Sequence, residues 1–220
     1  WDSLPYLLWG AYPDGPIGGA ALTVLLRLGS GILSALLGLG LGIALAMLQG
    51  PARVVLTSAR AFLRAIPVLM LIFWSYFLLP IALGINVPGV LSVMAALSLI
   101  GGAYLAHAVF AGITGIAAGQ WAAGLSLGLT RWGTLRHIVL PQSLRMMLPS
   151  FVNQWVTLVK DSSLAYIVGV GELSFVASQV NARTMVYPAE IFMLVGLIYW
   201  GLCAGLDQVL KGVAARVRTQ

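Results

Sequence analysis

The sequence predicts an all-α integral membrane protein, and three observations carry that prediction. Only 8% of the 220 residues are charged, 12 Lys and Arg against 6 Asp and Glu, where a typical soluble domain has about 25%. Hydrophobic residues make up 60% of the chain and the mean hydropathy is +0.98, so a water-exposed globule of this size could not cover its surface with charge. The apolar residues run continuously instead of alternating, which excludes a β-barrel pattern. Apolar dominance also excludes disorder. The single cysteine, Cys203, excludes a disulfide scaffold.

Five apolar segments give the spans in order: 19–48, broken only by Arg27, then 66–83, 89–113, 141–159 and 189–210. Each is near the ~20 residues that a bilayer core requires, and the first is long enough to tilt. Gly38 and Gly42 in the first span make a G-x3-G spacing, a signal for close helix packing. The stretch 164–171 is apolar but short and ends at Glu172. It reads either as a continuation of the fourth helix or as a re-entrant piece. Residues 1–18 carry Asp2 and Asp14, with Pro5, Pro13 and Pro16, and lack the basic start and apolar run of a signal peptide. They read as an extracytoplasmic segment whose Trp1, Tyr6, Trp9 and Tyr12 suit an outer aromatic belt.

Charge sets the orientation. Arg53, Arg60 and Arg64 follow the first span, Arg131, Arg136 and Arg145 follow the third, and Lys211, Arg216 and Arg218 follow the last. These nine of the twelve basic residues fall on one side of the membrane, which the positive-inside rule places in the cytoplasm. The N-terminus is then outside and the C-terminus inside, as five spans require. Topology thereby accounts for the net charge of +6. The basic residues are spread over separate loops, so nucleic acid is not an expected partner.

Several chemistries are missing. Neither lysine, Lys160 or Lys211, sits in a Walker A context, so the chain has no nucleotide site of that kind. His107, His137 and Cys203 are isolated and make no metal cluster. Gly124-Leu-Ser126-Leu-Gly128 matches G-x-S-x-G, a pattern that works on a strained strand-to-helix elbow. Helix formers flank it here. An intramembrane serine hydrolase, with Ser126 activated by His107 or His137, is the alternative function class.

The long cytoplasmic link 119–149 is half apolar, unlike a solvated loop. Residues 120–127 read as a short helix that Gly128 ends. Thr130 caps a second helix, with Trp132, Leu135 and Ile138 on one face, and Pro141 starts the next span. This elbow is either a docking surface or an amphipathic helix lying on the bilayer. In the fourth span Asn153, Thr157 and Lys160 share a face at i, i+4 and i+7. With Gln154, Asp161, Ser162 and Ser163 they read either as a gate or solute track or as interhelical hydrogen bonding. Arg27 either snorkels outward or attracts an anionic solute.

The link resembles the cytoplasmic coupling loop of permease subunits of ABC importers, whose motif is Glu-Ala-Ala, three residues, Gly, nine residues, Ile-x-Leu-Pro. Here the matching positions are Ala122, Ala123 and Gly124, then Gly128, then Ile138, Leu140 and Pro141. Further segments resemble the polar amino-acid (histidine, glutamine and glutamate type) branch of that family. They are Thr23-Val-Leu25, Phe62-Leu-Arg64-Ala-Ile-Pro67, Ala103-Tyr104-Leu-Ala106, Leu140-Pro141-Gln142-Ser-Leu144-Arg145 and Leu158-Val-Lys160-Asp161-Ser162-Ser163-Leu164. The resemblance covers roughly residues 19–210, and the joint order of the motifs is more specific than any one of them.

The resemblance implies an importer transmembrane domain over 19–210, with a coupling loop at about 114–140 and a cytoplasmic tail over 211–220. It implies a multi-pass protein of the bacterial cytoplasmic (inner) membrane. Two ATPase subunits holding ATP and Mg, a second permease subunit (a like or an unlike chain) and an extracytoplasmic amino-acid-binding protein would be its partners, with the lipid bilayer around it. The chain itself would be no enzyme and would hold no cofactor or metal. Gln120, Ala122, Ala123, Gly124, Gly128, Arg131, Trp132 and Pro141 would couple it to the ATPases. Arg27, Asn153, Thr157, Lys160, Asp161, Ser162 and Ser163 would lie on the solute pathway of an alternating-access cycle. Glu172, Asn181 and Arg183, in the segment 169–188, would face the binding protein. Three positions depart from the family pattern. Ala122 stands where the coupling motif has glutamate, His107 stands for the glutamate after Ala-Tyr-x-Ala, and Phe110 stands for the arginine beyond it. Docking would then rest on Gly128 and the apolar face, and a partner permease would carry the usual charged residues of the third span.

Overall fold

A computed structural model describes residues 4–84 and 87–218. Trp1 and Asp2, and the side chains of Arg216 and Arg218, lie outside what is described. The described chain is helical, with two isolated β-bridges, Gly10 to Ile17 and Gly19 to Glu172.

A short helix α1 (Leu4–Trp9) leads through a turn into α2 (Gly19–Met47). Thr23, Leu26, Ser30, Ser34, Gly38, Gly42 and Leu45 recur every three or four residues and are all buried, so one stripe of α2 is made of small residues. That stripe receives α5 (Gly89–Thr114). A Cβ added at Gly38 would stand 2.4 Å from Leu105 Cβ, and one at Gly42 would stand 2.4 Å from Val109 Cβ. Gly101 and Gly102 of α5 in turn face Ser34 and Leu37. The expected G-x3-G contact is therefore the spine of the fold. Serines on these helices turn back on their own backbone: Ser30 Oγ donates to Leu26 O at 2.7 Å and Ser98 Oγ to Met94 O at 2.6 Å. That satisfies a hydroxyl where no water is at hand.

Between these two helices lie α3 (Gly50–Ala65) and α4 (Val68–Leu83), which meet at 102°. Ile66 precedes Pro67 and takes an extended conformation, as the clash with a proline ring demands. α3 buries none of its residues and was not expected from the sequence, where its three arginines marked a loop. α4 contains a π turn over Trp74–Leu78. The elbow follows as α6 (Ala118–Ser126) and α7 (Arg131–Thr134). α7 does not stop before the next span. A π turn over Leu135–Val139 carries it directly into α8 (Leu140–Ser162), with Pro141 in the first turn as expected. Beyond α8 the stretch read as a continuation or a re-entrant piece is a continuation: a 3-10 turn over Ser163–Val168, ended by Gly169 at φ +74°. α9 (Leu173–Thr184) and α10 (Pro188–Arg218) complete the chain.

Helices thus occupy all five expected span positions. Three of them, Gly19–Met47, Gly89–Thr114 and Pro188–Val209, are long and apolar enough to cross a membrane by themselves, and the bent α3–α4 pair makes a fourth crossing if it counts as one. α8, with Gln142, Arg145, Asn153, Gln154 and Lys160, is the more polar helix that the five-span expectation adds. The interior stacks in three layers. Leu7, Leu173, Val176 and Val180 pack at the α9 end. Leu26, Ile72, Val93, Leu97 and Leu158 pack in the middle. Val109, Ile113, Leu135, Val139 and Met147 pack at the elbow end.

Candidate functional site

The elbow is held by its two glycines. α6 crosses α7 so closely at Gly124 that an added Cβ would stand 2.5 Å from Thr134 Cγ2. Gly128 sits at φ +81° in open space, so backbone conformation and not crowding selects glycine there. Its N–H donates to Leu125 O at 3.0 Å and Leu129 N–H donates to Gly124 O at 3.2 Å, closing the end of α6. Thr130 Oγ1 accepts from Gly133 N at 3.0 Å, the expected cap of α7. Gln142 Nε2 of α8 donates to Gln120 Oε1 at 3.1 Å, tying the elbow to the helix it leads into. The apolar face divides: Leu135 is buried and Ile138 half-buried, while Trp132, Leu125 and Leu127 are exposed. Ala122, Ala123 and Arg131 are exposed beside them.

Ser126 is exposed at the end of α6, where no strand precedes it and no histidine is bonded to it. His137 Nδ1 pairs with Gly133 O at 2.9 Å, and His107 Nδ1 lies 3.4 Å from Arg60 Nη1. The hydrolase constellation is not assembled. Among the described residues no group of three or more His, Cys, Asp or Glu is placed to hold a metal.

α8 carries the polar face. Asn153, Thr157 and Lys160 are all exposed along one side, as their spacing predicts. Two cavities flank that side and share Asn153 and Thr157. One, of about 550 Å³, lies against α5 and takes in Tyr104, His107, Ser150 and Gln154. The other, of about 470 Å³, lies against α10 and takes in Lys160, Trp200, Cys203 and Asp207. The remaining predicted pathway residues are elsewhere. Ser162 is buried and bonds Val159 O, Ser163 bonds Lys160 O, and Asp161 lines neither cavity. Arg27 is buried in the α2 interface, with Nη1 3.5 Å from Leu202 O and Nε unpartnered.

The α9 end has its own polar node. Glu172, expected to face a binding protein, is fully buried within this chain. Its Oε1 accepts from Phe175 N at 3.0 Å, capping α9, and its Oε2 accepts from Tyr199 Oη at 2.6 Å. Thr23 Oγ1 accepts from Leu173 N at 3.1 Å, and Gly19 N donates to Gly171 O at 2.9 Å. α2, α9 and α10 therefore meet around Glu172, with α9 and α10 bonded to its carboxylate and α2 to the backbone on either side. Burial pushes that carboxyl above the ordinary carboxylate range, against the opposing pull of its Tyr199, Ser174 and Phe175 bonds. Arg183 remains exposed, with its guanidinium 5.5 Å from the Tyr6 ring, and Asn181 is half-buried.

One cluster has a role beyond the topology the sequence assigned to it. Arg53, Arg60 and Arg64 all reach α5. Arg53 lies over Phe110 at 5.3 Å, Arg60 meets His107, and Arg64 lies over Tyr104 at 4.8 Å. Spacings of seven and four on α3 and of three and three on α5 set both rows on facing stripes. That periodicity was the available signal.

This architecture, a membrane helix bundle with a glycine-built elbow and a polar helix leading from it, is matched by known proteins. Residues 38–219 match the family of binding-protein-dependent transport system inner membrane components, and the chain belongs to that family. It is 34% identical over 204 residues to the probable amino-acid ABC transporter permease protein YckA of Bacillus subtilis, covering 92% of this chain and 85% of that one. It is 31% identical over 219 residues to the L-cystine transport system permease protein TcyB of the same organism, covering 99% and 91%. Among solved structures, one of an amino acid ABC transporter with histidines superposes with a TM-score of 0.80 at 25% identity, covering 90% of this chain and 92% of that one.

Proposed function

We propose that this chain is the membrane-spanning permease subunit of an ATP-driven importer that moves amino acids into the bacterial cytoplasm by alternating access. The observation that carries the coupling is the rigid path from the elbow. Exposed Trp132, Leu125 and Leu127 sit on a glycine-closed turn, and α7 runs without a break into α8, the helix with the polar face. A partner that pushed the elbow would move that face directly. The amino-acid cargo is supported by relatives named as amino-acid and cystine permeases. ATP and Mg would be bound by two partner ATPases. A second permease subunit would complete the pathway, and the α9 end would meet a binding protein through exposed Arg183 and half-buried Asn181. The chain would cross the bacterial inner membrane five times, N-terminus outside and C-terminus cytoplasmic.

The test is co-purification with the ATPase, followed by ATP-driven amino-acid uptake in proteoliposomes that contain the whole complex. Gly128→Asp places a side chain at φ +81° and is expected to abolish uptake, by loss of the ATPase from the complex or by loss of coupling. Unchanged uptake together with unchanged ATPase association would sink the coupling role of the elbow.

A further inference from the structure

The cavity between α5 and α8 is bordered by positive charge and carries no carboxylate. Its wall holds Tyr104, His107, Ser150, Asn153, Gln154 and Thr157 among apolar residues, and no Asp or Glu. Arg60 stands directly behind His107, and Arg64 lies on the ring of Tyr104. Neither arginine forms a salt bridge among the described residues, and the Nε of each is buried without a hydrogen-bond partner. A guanidinium has no lone pair to offer, so Arg60 donates to His107 Nδ1 and the neutral ring carries its proton on Nε2. His107 is then a donor braced by a cation. Beyond the shared Asn153 and Thr157 the neighbouring cavity adds Lys160. Its one acid, Asp207, is closed in an ion pair with Lys211 at 2.6 Å.

Arg60 behind His107 and Lys160 on the neighbouring cavity are cations without an ion pair among the described residues, and their field favours anions and disfavours cations. The occupant is a soluble anion and not a lipid tail, because the side chains of Ser150, Asn153 and Gln154 would be left without partners against acyl chains. A volume of about 550 Å³ falls in the range of small-molecule sites.

We infer that this cavity passes anionic solutes, amino acids with a carboxylate side chain, and that His107 backed by Arg60 is their anchor. The inference rests on the permease reading above and narrows its substrate class.

The test uses the whole complex in proteoliposomes with its binding protein and compares ATP-driven uptake of labelled L-glutamate, L-glutamine and L-arginine. L-glutamate is expected to move, and His107→Glu to lower its uptake at least tenfold while the complex still assembles with its ATPase. His107→Gln, which keeps a donor without adding charge, should restore most of that uptake. Uptake of L-glutamine or L-arginine without L-glutamate would overturn the inference and leave the permease reading standing. Uptake of none of the three would also overturn the inference, and only with loss of ATPase co-purification as well would it overturn the permease reading. Unchanged L-glutamate uptake in His107→Glu, with or without loss of co-purifying phosphatidylglycerol, would remove His107 as the anchor.

Discussion

Glycines that look alike in the sequence differ in what surrounds them. Gly38 and Gly42 face α5 with no room for a methyl group, whereas Gly40, between them, has nothing within 4 Å. Gly42→Ala is therefore expected to destabilise by about 1–3 kcal/mol through overpacking. Gly40→Ala should stabilise by about 1 kcal/mol from helix propensity. Unfolding in mixed micelles with rising SDS measures both, and equal effects would contradict the packing of α2 on α5. Glu172 carries a different kind of prediction. Its pKa is raised by burial in the folded chain, so the folded state holds this proton more tightly than the unfolded state does. The stability it contributes is then full below the unfolded pKa of about 4.5 and is lost as pH rises through the folded pKa. Glu172→Gln should flatten the fall in thermal stability as pH rises above that value. A variant with the same pH slope as the parent would show that the node does not titrate. The sequence revealed the glycine pair through its spacing. It could not reveal the burial of Glu172, because the partners that enclose it, Thr23 and Tyr199, are distant in the chain.

The elements divide by how much apolar periodicity they carry. The spans were legible because a bilayer needs long apolar runs, and the elbow was legible because Gly128 and Thr130 are local stop and start signals. The sequence offers no long apolar run at α9, because Ser174, Ser178, Gln179 and Asn181 interrupt it, although Leu173, Val176, Ala177 and Val180, all buried, follow a helical spacing. The exposed face of α6 and α7 was drawn too wide, since Leu135 turned out to pack into the elbow-end core with Val109 and Ile113. That division gives a paired prediction. Trp132→Ala removes an exposed aromatic and should weaken association with the ATPase about tenfold, the cost of a single interface anchor, while thermal stability stays unchanged. Leu135→Ala should instead destabilise the chain by about 2–5 kcal/mol. Pull-down with the ATPase alongside thermal unfolding separates the two, and loss of stability without loss of binding in Trp132→Ala would assign that ring to the fold.

For the whole molecule, the scarcity of charge marks a membrane protein, and the distribution of the few charges predicts an orientation. The arginines of α3 lie on the same part of α5 that runs into the elbow, where Arg131 and Arg136 are exposed, so the basic residues of two separate links gather at one end. Asp14 and Glu190 are exposed near the starts of α2 and α10, on the opposite side if the five-span order holds. Cys203 is the only cysteine, so replacing it by alanine gives a background in which single cysteines report sidedness. Asp14→Cys and Glu190→Cys should react with a membrane-impermeant maleimide added outside intact cells, and Arg136→Cys only after the membrane is opened. Each comparison isolates one crossing. Between 14 and 136 lie α2, α4 and α5, so opposite sides require the bent pair at α4 to traverse the bilayer. Between 136 and 190 the crossing falls to α8, the polar helix that length and apolar composition alone do not pick out. Labelling of 136 and 190 from the same side would mean that α8 returns to its own face. The polar row of Asn153, Thr157 and Lys160 would then lie along the membrane surface and could not form a path across it.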